Sequence, residues 1–253
     1  MNQSQRRIYL IQYLLNEQEE KIEIPHNSQE QKRLLRALMN IRPAKPIDSN
    51  VLEIQDAYLQ EEIKKKGIVS FDTNQRIILR QGDITRLSID AIVNAGNTYL
   101  TGCYHPNHGC IDNCIHTYSG MQLRLACQEL MDQQGHLEPT GDAKCTLAYN
   151  LPSKYIFHTV GPIVHGPLTS LKKKELESCY QSCLELAVKK NCSSIAFPCI
   201  STGEFHFPNV EAAKIAIHTV QSFLKENQSI RKVVFNVYKD LDKEIYRDLL
   251  ERI

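Results

Sequence analysis

Between Val93 and Ile115 the chain reads VNAGNTYLTGCYHPNHGCIDNCI, and within it Cys103, His108 and Cys110 fall as C-x4-H-x-C. Thiolate and imidazole donors on one short, bent stretch of backbone are what a zinc ion takes. Three protein ligands leave a fourth tetrahedral position open, which is how catalytic zinc differs from structural zinc. His105 is nearly as well spaced as His108, and Cys114 lies one helical turn past Cys110, so both compete as ligands, although Cys114 is expected to face the core. Two other segments carry chemistry of a different kind. In Gly82-Asp83-Ile84-Thr85 the Asp83 carboxylate can accept from a ligand or cap a short helix. Ser201-Thr202-Gly203 precedes a helix and offers successive backbone N–H groups to an anion.

These residues need a scaffold, and the hydrophobic pattern supplies one. Ile8, Leu10, Ile11, Leu14 and Leu15 recur at helical spacing before Pro25. Ser28 with Gln31 forms a capping box ahead of Leu34, Leu35, Leu38 and Met39, and Pro43 and Pro46 end that helix. A third helix after Ser49 ends on Lys64, Lys65, Lys66 and Gly67, cations and a glycine suited to a helix C-terminus. Residues 1–67 are thus expected as a helical N-terminal extension that packs on the body, which runs over 68–253, and caps its sheet. Past Gly67 the period becomes that of strands at 68–71, 76–81, 90–95, 144–148, 155–160, 194–198 and 233–238. Helices are expected at about 112–133, 172–190, 209–225 and 242–252. Alternation of this kind predicts an α/β sandwich of three layers with a mixed, largely parallel sheet. In such folds ligands sit beyond the carboxyl ends of the strands. All three chemical segments follow strands.

Composition narrows the function. The 30 Lys and Arg nearly balance the 29 Asp and Glu, with 11 against 10 in Met1–Ser70 and 19 against 19 beyond. Neither part carries the positive excess that non-specific nucleic-acid binding needs. No apolar run of about 20 residues and no small-residue cleavage site are present, so a cytoplasmic protein without a membrane segment is expected. The nine cysteines are odd in number and absent from the first 100 residues, which fits reduced thiols better than a disulfide framework. Cys179 and Cys183 are expected as packing residues, and Cys127, Cys145, Cys192 and Cys199, with no histidine or acid pattern nearby, as inert. His116 and His158 are expected as hydrogen-bonded structural histidines, and Asp90 as a structural acid.

In order along the chain, QGDIT (Gln81–Thr85), DAIVNAGN (Asp90–Asn97), IDNCIHTYSG (Ile111–Gly120), PTGDAK (Pro139–Lys144), YNLPSKYIFHTVGP (Tyr149–Pro162) and FPCISTGEFHFP (Phe197–Pro208) resemble the macrodomain family. With Cys and His between the asparagines and the Ile-Asp-Asn triplet, the sequence looks like the zinc-containing bacterial branch, which also carries a helical N-terminal extension. That match favours His108 over His105. The resemblance implies an ADP-ribose cleft. Asp83 would accept from the adenine amino group with Ile84 beside the ring, and Asn97 would contact the distal ribose. Ile111, Asp112 and Asn113 would line the first diphosphate loop, and Ser201, Thr202, Gly203, Glu204 and Phe205 the second. The chain also departs from the family. GCYHPNHGC replaces the glycine run of hydrolytic macrodomains without metal, Gly96 stands where alanine is usual, and Glu204 where an apolar residue is more frequent.

The expected function is therefore a zinc-dependent hydrolase that removes mono-ADP-ribose from protein side chains, with an Asp or Glu ester as the linkage. Asn97 and Asp112 would orient ribose and water beside Cys103, His108 and Cys110. Two alternatives stand beside it: an ADP-ribose reader with a structural zinc, and a hydrolase of O-acetyl-ADP-ribose or ADP-ribose phosphate. By resemblance alone, a sirtuin-like ADP-ribosyltransferase and a lipoylated glycine-cleavage H-like carrier protein are implied as partners.

Overall fold

The computed structural model describes residues 1–252. The chain begins with three helices: α1 (Gln3–Glu17), α2 (Ser28–Ile41) and α3 (Ser49–Lys66). Each is started by a side chain that satisfies free backbone N–H groups, Asn2 through a capping box with Gln5, then Asn27, then Asp48. The Ser28–Gln31 box expected from sequence does not form. Asn27 takes the cap, and Gln31 turns inward to accept from Arg7 Nε at 2.9 Å and Nη2 at 2.8 Å. Leu10, Ile11, Leu14, Leu35, Leu38, Val51, Tyr58 and Leu59 close an apolar core between the three helices, and Met121 of the body enters it.

The body is β1 (Ile77–Gln81), β2 (Ala91–Gly96), α4 (Ile111–Ser119), α5 (Met121–Gln134), β3 (Ala143–Leu147), β4 (Tyr155–Val160), α6 (Ser170–Lys189), β5 (Ser194–Phe197), α7 (Asn209–Glu226), β6 (Lys232–Val237) and α8 (Asp240–Leu250). One six-stranded sheet runs in the order β1-β6-β5-β2-β4-β3, parallel throughout except for the antiparallel β3–β4 pair. The expected α/β/α layering and mixed, largely parallel sheet are thus present.

Strand alternation divides the sheet between two cores. Val93, Phe157, Ile195, Phe197, Val233 and Phe235 point to a core shared with α6, α7 and α8. Ile92, Ile156, Ala196 and Val234 point to the opposite core, with Ile115 of α4 and Leu123 and Cys127 of α5. Three expectations need correction. The helix expected over 112–133 is broken at Gly120, whose φ of +107° no ordinary helical residue adopts. Of the strand expected at 68–71, only a single bridge from Val69 to Leu87 forms. The extension packs on α4 and α5, the helical layer, and does not cap the sheet itself. Among the described residues no helix is long and apolar enough to cross a membrane.

Candidate active site

Because β1, β6, β5, β2 and β4 are parallel, their carboxyl ends open on one side. Asp83 sits just past β1 as the cap of a short 3-10 turn, Ile84–Arg86. Its Oδ1 accepts from Thr85 N at 2.9 Å and Thr85 Oγ1 at 2.6 Å, while Oδ2 faces Lys66 Nζ at 3.9 Å. The two readings of Asp83 are therefore compatible, since capping uses one oxygen. Ile84 is buried in the core below. Tyr238, which sequence reading missed, follows β6 with its side chain 78% exposed and its carbonyl accepting from Gln81. Its signal was an aromatic residue placed directly after the last strand.

The segment between β2 and α4 brings the metal-type donors together. The Cys103 sulfur, a ring nitrogen of His108 and the Cys110 sulfur all lie within 4.8 Å of one another. Cys103 Sγ is 3.5 Å from His108 Nδ1. Tetrahedral bonds of ~2.3 Å to sulfur and ~2.1 Å to nitrogen would separate these atoms by roughly 3.6 Å. The donor set and its spacing therefore fit zinc. Cys110 also caps α4, accepting from Asn113 N at 3.4 Å. Burial pushes its thiol up to about 12, against the Asn113 N–H and helped by the Cys103 sulfur. A cation shared by the two sulfurs reverses that balance, because it favours both thiolates. The competitors separate in space. Cys114 lies 3.5 Å from Arg36 Nη2 and is only partly buried, not turned into the core as expected, and His105 packs its ring against that of His108.

In the first turn of α4 the Asp112 carboxyl is buried, accepting from Asn94 Nδ2 at 2.8 Å. Burial lifts it to about 6, opposed by that hydrogen bond and by Arg124. Asn94 reaches His158 Nδ1 at 3.2 Å, and His158 Nε2 lies 2.9 Å from Thr146 Oγ1. With Nδ1 accepting, Nε2 carries the proton and donates to the threonine. His158 is a satisfied structural histidine, as expected. His116 is not: both its ring nitrogens are buried without a hydrogen-bond partner, and Nε2 stands 3.5 Å from Asp112 Oδ1.

Cys127 Sγ lies 3.7 Å from His158 Nε2, so the expectation that it has no histidine nearby is also corrected. His116, Cys127 and His158 make a second group of metal-type donors, wholly buried. It is the poorer site, since both nitrogens of His158 are already committed to Asn94 and Thr146.

The remaining predicted residues divide by what their side chains do. Asn97 folds onto its own turn, accepting from Tyr99 N at 3.0 Å and donating to Gly102 O at 3.3 Å. Asn113 is fully buried and donates to the carbonyls of Cys103 at 3.3 Å and His105 at 2.9 Å. Its side chain therefore braces the Cys/His loop, so any part in a diphosphate loop falls to its backbone. Ile111 packs at the edge of the lower core. After β5, Ser201 adopts a φ of +64° and its buried hydroxyl has no partner. Thr202 N and His206 N are taken by the carbonyls of Cys199 and Gly203. The N–H groups of Gly203, Glu204 and Phe205 find no partner among the described residues, and the Glu204 side chain is exposed. Unpaired N–H groups in successive positions form an anion cradle.

A sequence model of the Macro domain matches residues 93–216. A protein-ADP-ribose hydrolase from Treponema medium is 49% identical, covering 99% of this chain and 100% of its own. One from Staphylococcus aureus (strain MRSA252) is 44% identical, over 96% of this chain and 95% of the relative. Among solved structures, a mutant Oceanobacillus iheyensis macrodomain with ADPR is similar at 38% identity and a TM-score of 0.64, covering 72% of this chain and 96% of that one. The strand order, the loops at the strand ends and these likenesses over nearly the whole length agree: the chain belongs to the macrodomain family.

Proposed function

We infer that the chain is a hydrolase that releases ADP-ribose from modified proteins, and that it works with zinc. The observation that carries the metal part is the convergence of Cys103, His108 and Cys110 at the N-terminus of α4, whose first turn carries the buried Asp112. Full-length similarity to protein-ADP-ribose hydrolases supports the reaction class. In this reading Asp83 accepts from the adenine amino group, and exposed Tyr238 offers a stacking face beside it. The free N–H groups of Gly203, Glu204 and Phe205 hold the diphosphate, assisted by the N-terminus of α4.

The distal ribose then lies against Asn97 and Asp112. Asp112, buried and held by Asn94, orients the ribose and the attacking water. Cys103, His108 and Cys110 would hold the zinc, leaving one coordination position open. Zinc bound there supplies Lewis acidity toward an oxygen of the scissile bond. The linkage we assign is an ester to Asp or Glu. The sirtuin-like transferase and the lipoylated carrier protein rest on family resemblance alone, and offering the modified carrier beside other ADP-ribosylated proteins tests them.

The deciding experiment follows free ADP-ribose released from mono-ADP-ribosylated protein, with and without chelator and with Cys103→Ala. Loss of turnover on chelation, restored by zinc, is expected. Undiminished turnover by the metal-free protein would sink the zinc dependence. Tight ADP-ribose binding with no release from any modified protein would make the chain a reader.

A further inference from the structure

We propose that the helical extension is a working part of the metal loop, with Arg36 and Asn40 of α2 as positioning residues for the ligands; this rests on the zinc reading above. Arg36 Nη2 donates to the His108 carbonyl at 2.6 Å and to Asn113 Oδ1 at 2.8 Å. Asn113 passes that constraint on, since its own amide holds the carbonyls of Cys103 and His105. One guanidinium nitrogen is thus linked, directly or through Asn113, to the backbone of Cys103, His105 and His108. One helical turn on, and so on the same face of α2, Asn40 Oδ1 accepts from Asn107 N at 2.9 Å while its Nδ2 donates to Thr117 Oγ1 at 2.8 Å. Asn107 has a φ of +56°, a left-handed conformation that persists only when its surroundings fix it. Asn40 does so, one residue before His108.

The loop is fixed from its other end through Arg124 of α5. Its Nη1 donates to the carbonyls of Asn40, at 2.7 Å, and Arg42 at the end of α2, and its Nε to Thr101 O at 2.8 Å. Its guanidinium also lies 4.0 Å from the centre of the Tyr104 ring. A loop with no regular structure between Thr101 and Cys110 is thereby held at Thr101, Cys103, Tyr104, His105, Asn107 and His108. Apart from Arg124 and Asn113, the groups that do this come from the extension. Outer partners of this kind orient metal ligands and set affinity.

The test uses the full chain with Arg36→Ala, Arg36→Lys and Asn40→Ala, and Arg33→Ala on the exposed side of α2 as control. Three readouts are taken: zinc affinity by competition with a chromophoric chelator, sulfur-to-cobalt absorption of the Co2+-loaded protein, and amide exchange of the metal-free protein. Arg36→Ala and Asn40→Ala are expected to weaken zinc binding about 10- to 100-fold, to shift the cobalt spectrum, and to speed exchange across residues 103–110. The strands keep their protection, which separates loop loosening from misfolding. Arg36→Lys recovers part of the affinity, and Arg33→Ala leaves it unchanged. Wild-type zinc affinity in both alanine variants overturns the proposal. Should the wild type take up no zinc, the metal reading fails by itself. Exchange of the loop then decides the clamp, and unchanged exchange in both alanine variants overturns it.

Discussion

At the scale of single residues, the site depends on side chains whose surroundings were chosen far away in sequence. Asp112 is the clearest case. Buried and oriented by Asn94, it keeps its volume and hydrogen bond in Asp112→Asn but loses its charge and acceptor geometry. Turnover is expected to fall about 100-fold while ADP-ribose affinity, measured by calorimetry, stays near wild type. Equal loss of both would mean that the residue only binds. Gly102 gives a second prediction. Its φ is +86°, and a Cβ there would stand 2.7 Å from Cγ of the buried His116 ring. Gly102→Ala is expected to cost about 1–3 kcal/mol, seen as a lower urea midpoint with an unchanged slope. The donors Cys103, His108 and Cys110 were legible because all three sit within eight consecutive residues. Arg36 was not, since 72 residues separate it from His108 and nothing local marks it. Cys127 escaped for the same reason: its histidine is 31 residues away.

At the scale of elements, the question is how the extension and body share their helix ends. α5 starts at Gly120 with no cap of its own, and Gln55 of α3 supplies one across the junction. Its Oε1 accepts from Met121 N at 2.8 Å, and its Nε2 donates to Gln122 Oε1 at 2.7 Å. Gln55 is fully buried, so its removal leaves a helix N–H orphaned away from water. Gln55→Leu, which preserves most of the volume, is expected to cost about 1–3 kcal/mol. Chemical denaturation measures it, and a neutral outcome would show that water reaches the junction. α1 stops at Glu17, well before Pro25, but the ends of α2 and α3 were legible from Pro43, Pro46 and the Lys64–Gly67 ending, all local signals. What the extension packs against was not. An apolar stripe says that a face is buried, but polar pairs such as Arg36–Asn113, Asn40–Thr117 and Gln55–Met121 are what single out α4 and α5 as its partners.

At the scale of the whole molecule, layering follows from alternation in the strands, and the balanced charge leaves stability governed by a few buried groups rather than by net repulsion. The pattern of Ile92, Val93 and Ile195–Phe197 made the doubly covered sheet readable; the break at Gly120 and the loss of the 68–71 strand depended on tertiary fit. The buried histidines set the response to acid. Burial lowers His158 to about 3, and burial with neighbouring His158 and Arg124 lowers His116 well below the ordinary histidine range. Unfolded, both would titrate near 6.5. Between about pH 6.5 and pH 3 the unfolded chain therefore binds protons that the folded chain refuses, and stability falls as pH falls. Each histidine contributes a slope of about 1.4 kcal/mol per pH unit inside its window. Asp90 adds to this lower down. Burial alone would raise it, but Lys154 and the N–H and hydroxyl donors of Ser193 and Ser194 bring it to about 2, so its share is lost below about pH 4. Urea unfolding of the metal-free protein from pH 7.5 to 4.5 reads the two histidine terms against the opposing one of Asp112, whose carboxyl, raised by burial to about 6, takes up its proton first in the folded chain, while chelation removes the pH dependence of any bound metal. A steep decline below pH 6.5 is expected, and His158→Gln should remove about 1.4 kcal/mol per pH unit from it even where it lowers stability at neutral pH. An identical slope in the variant would mean that His158 titrates alike in the folded and unfolded chains, and that the Asn94–His158–Thr146 network opens to water before the fold is lost.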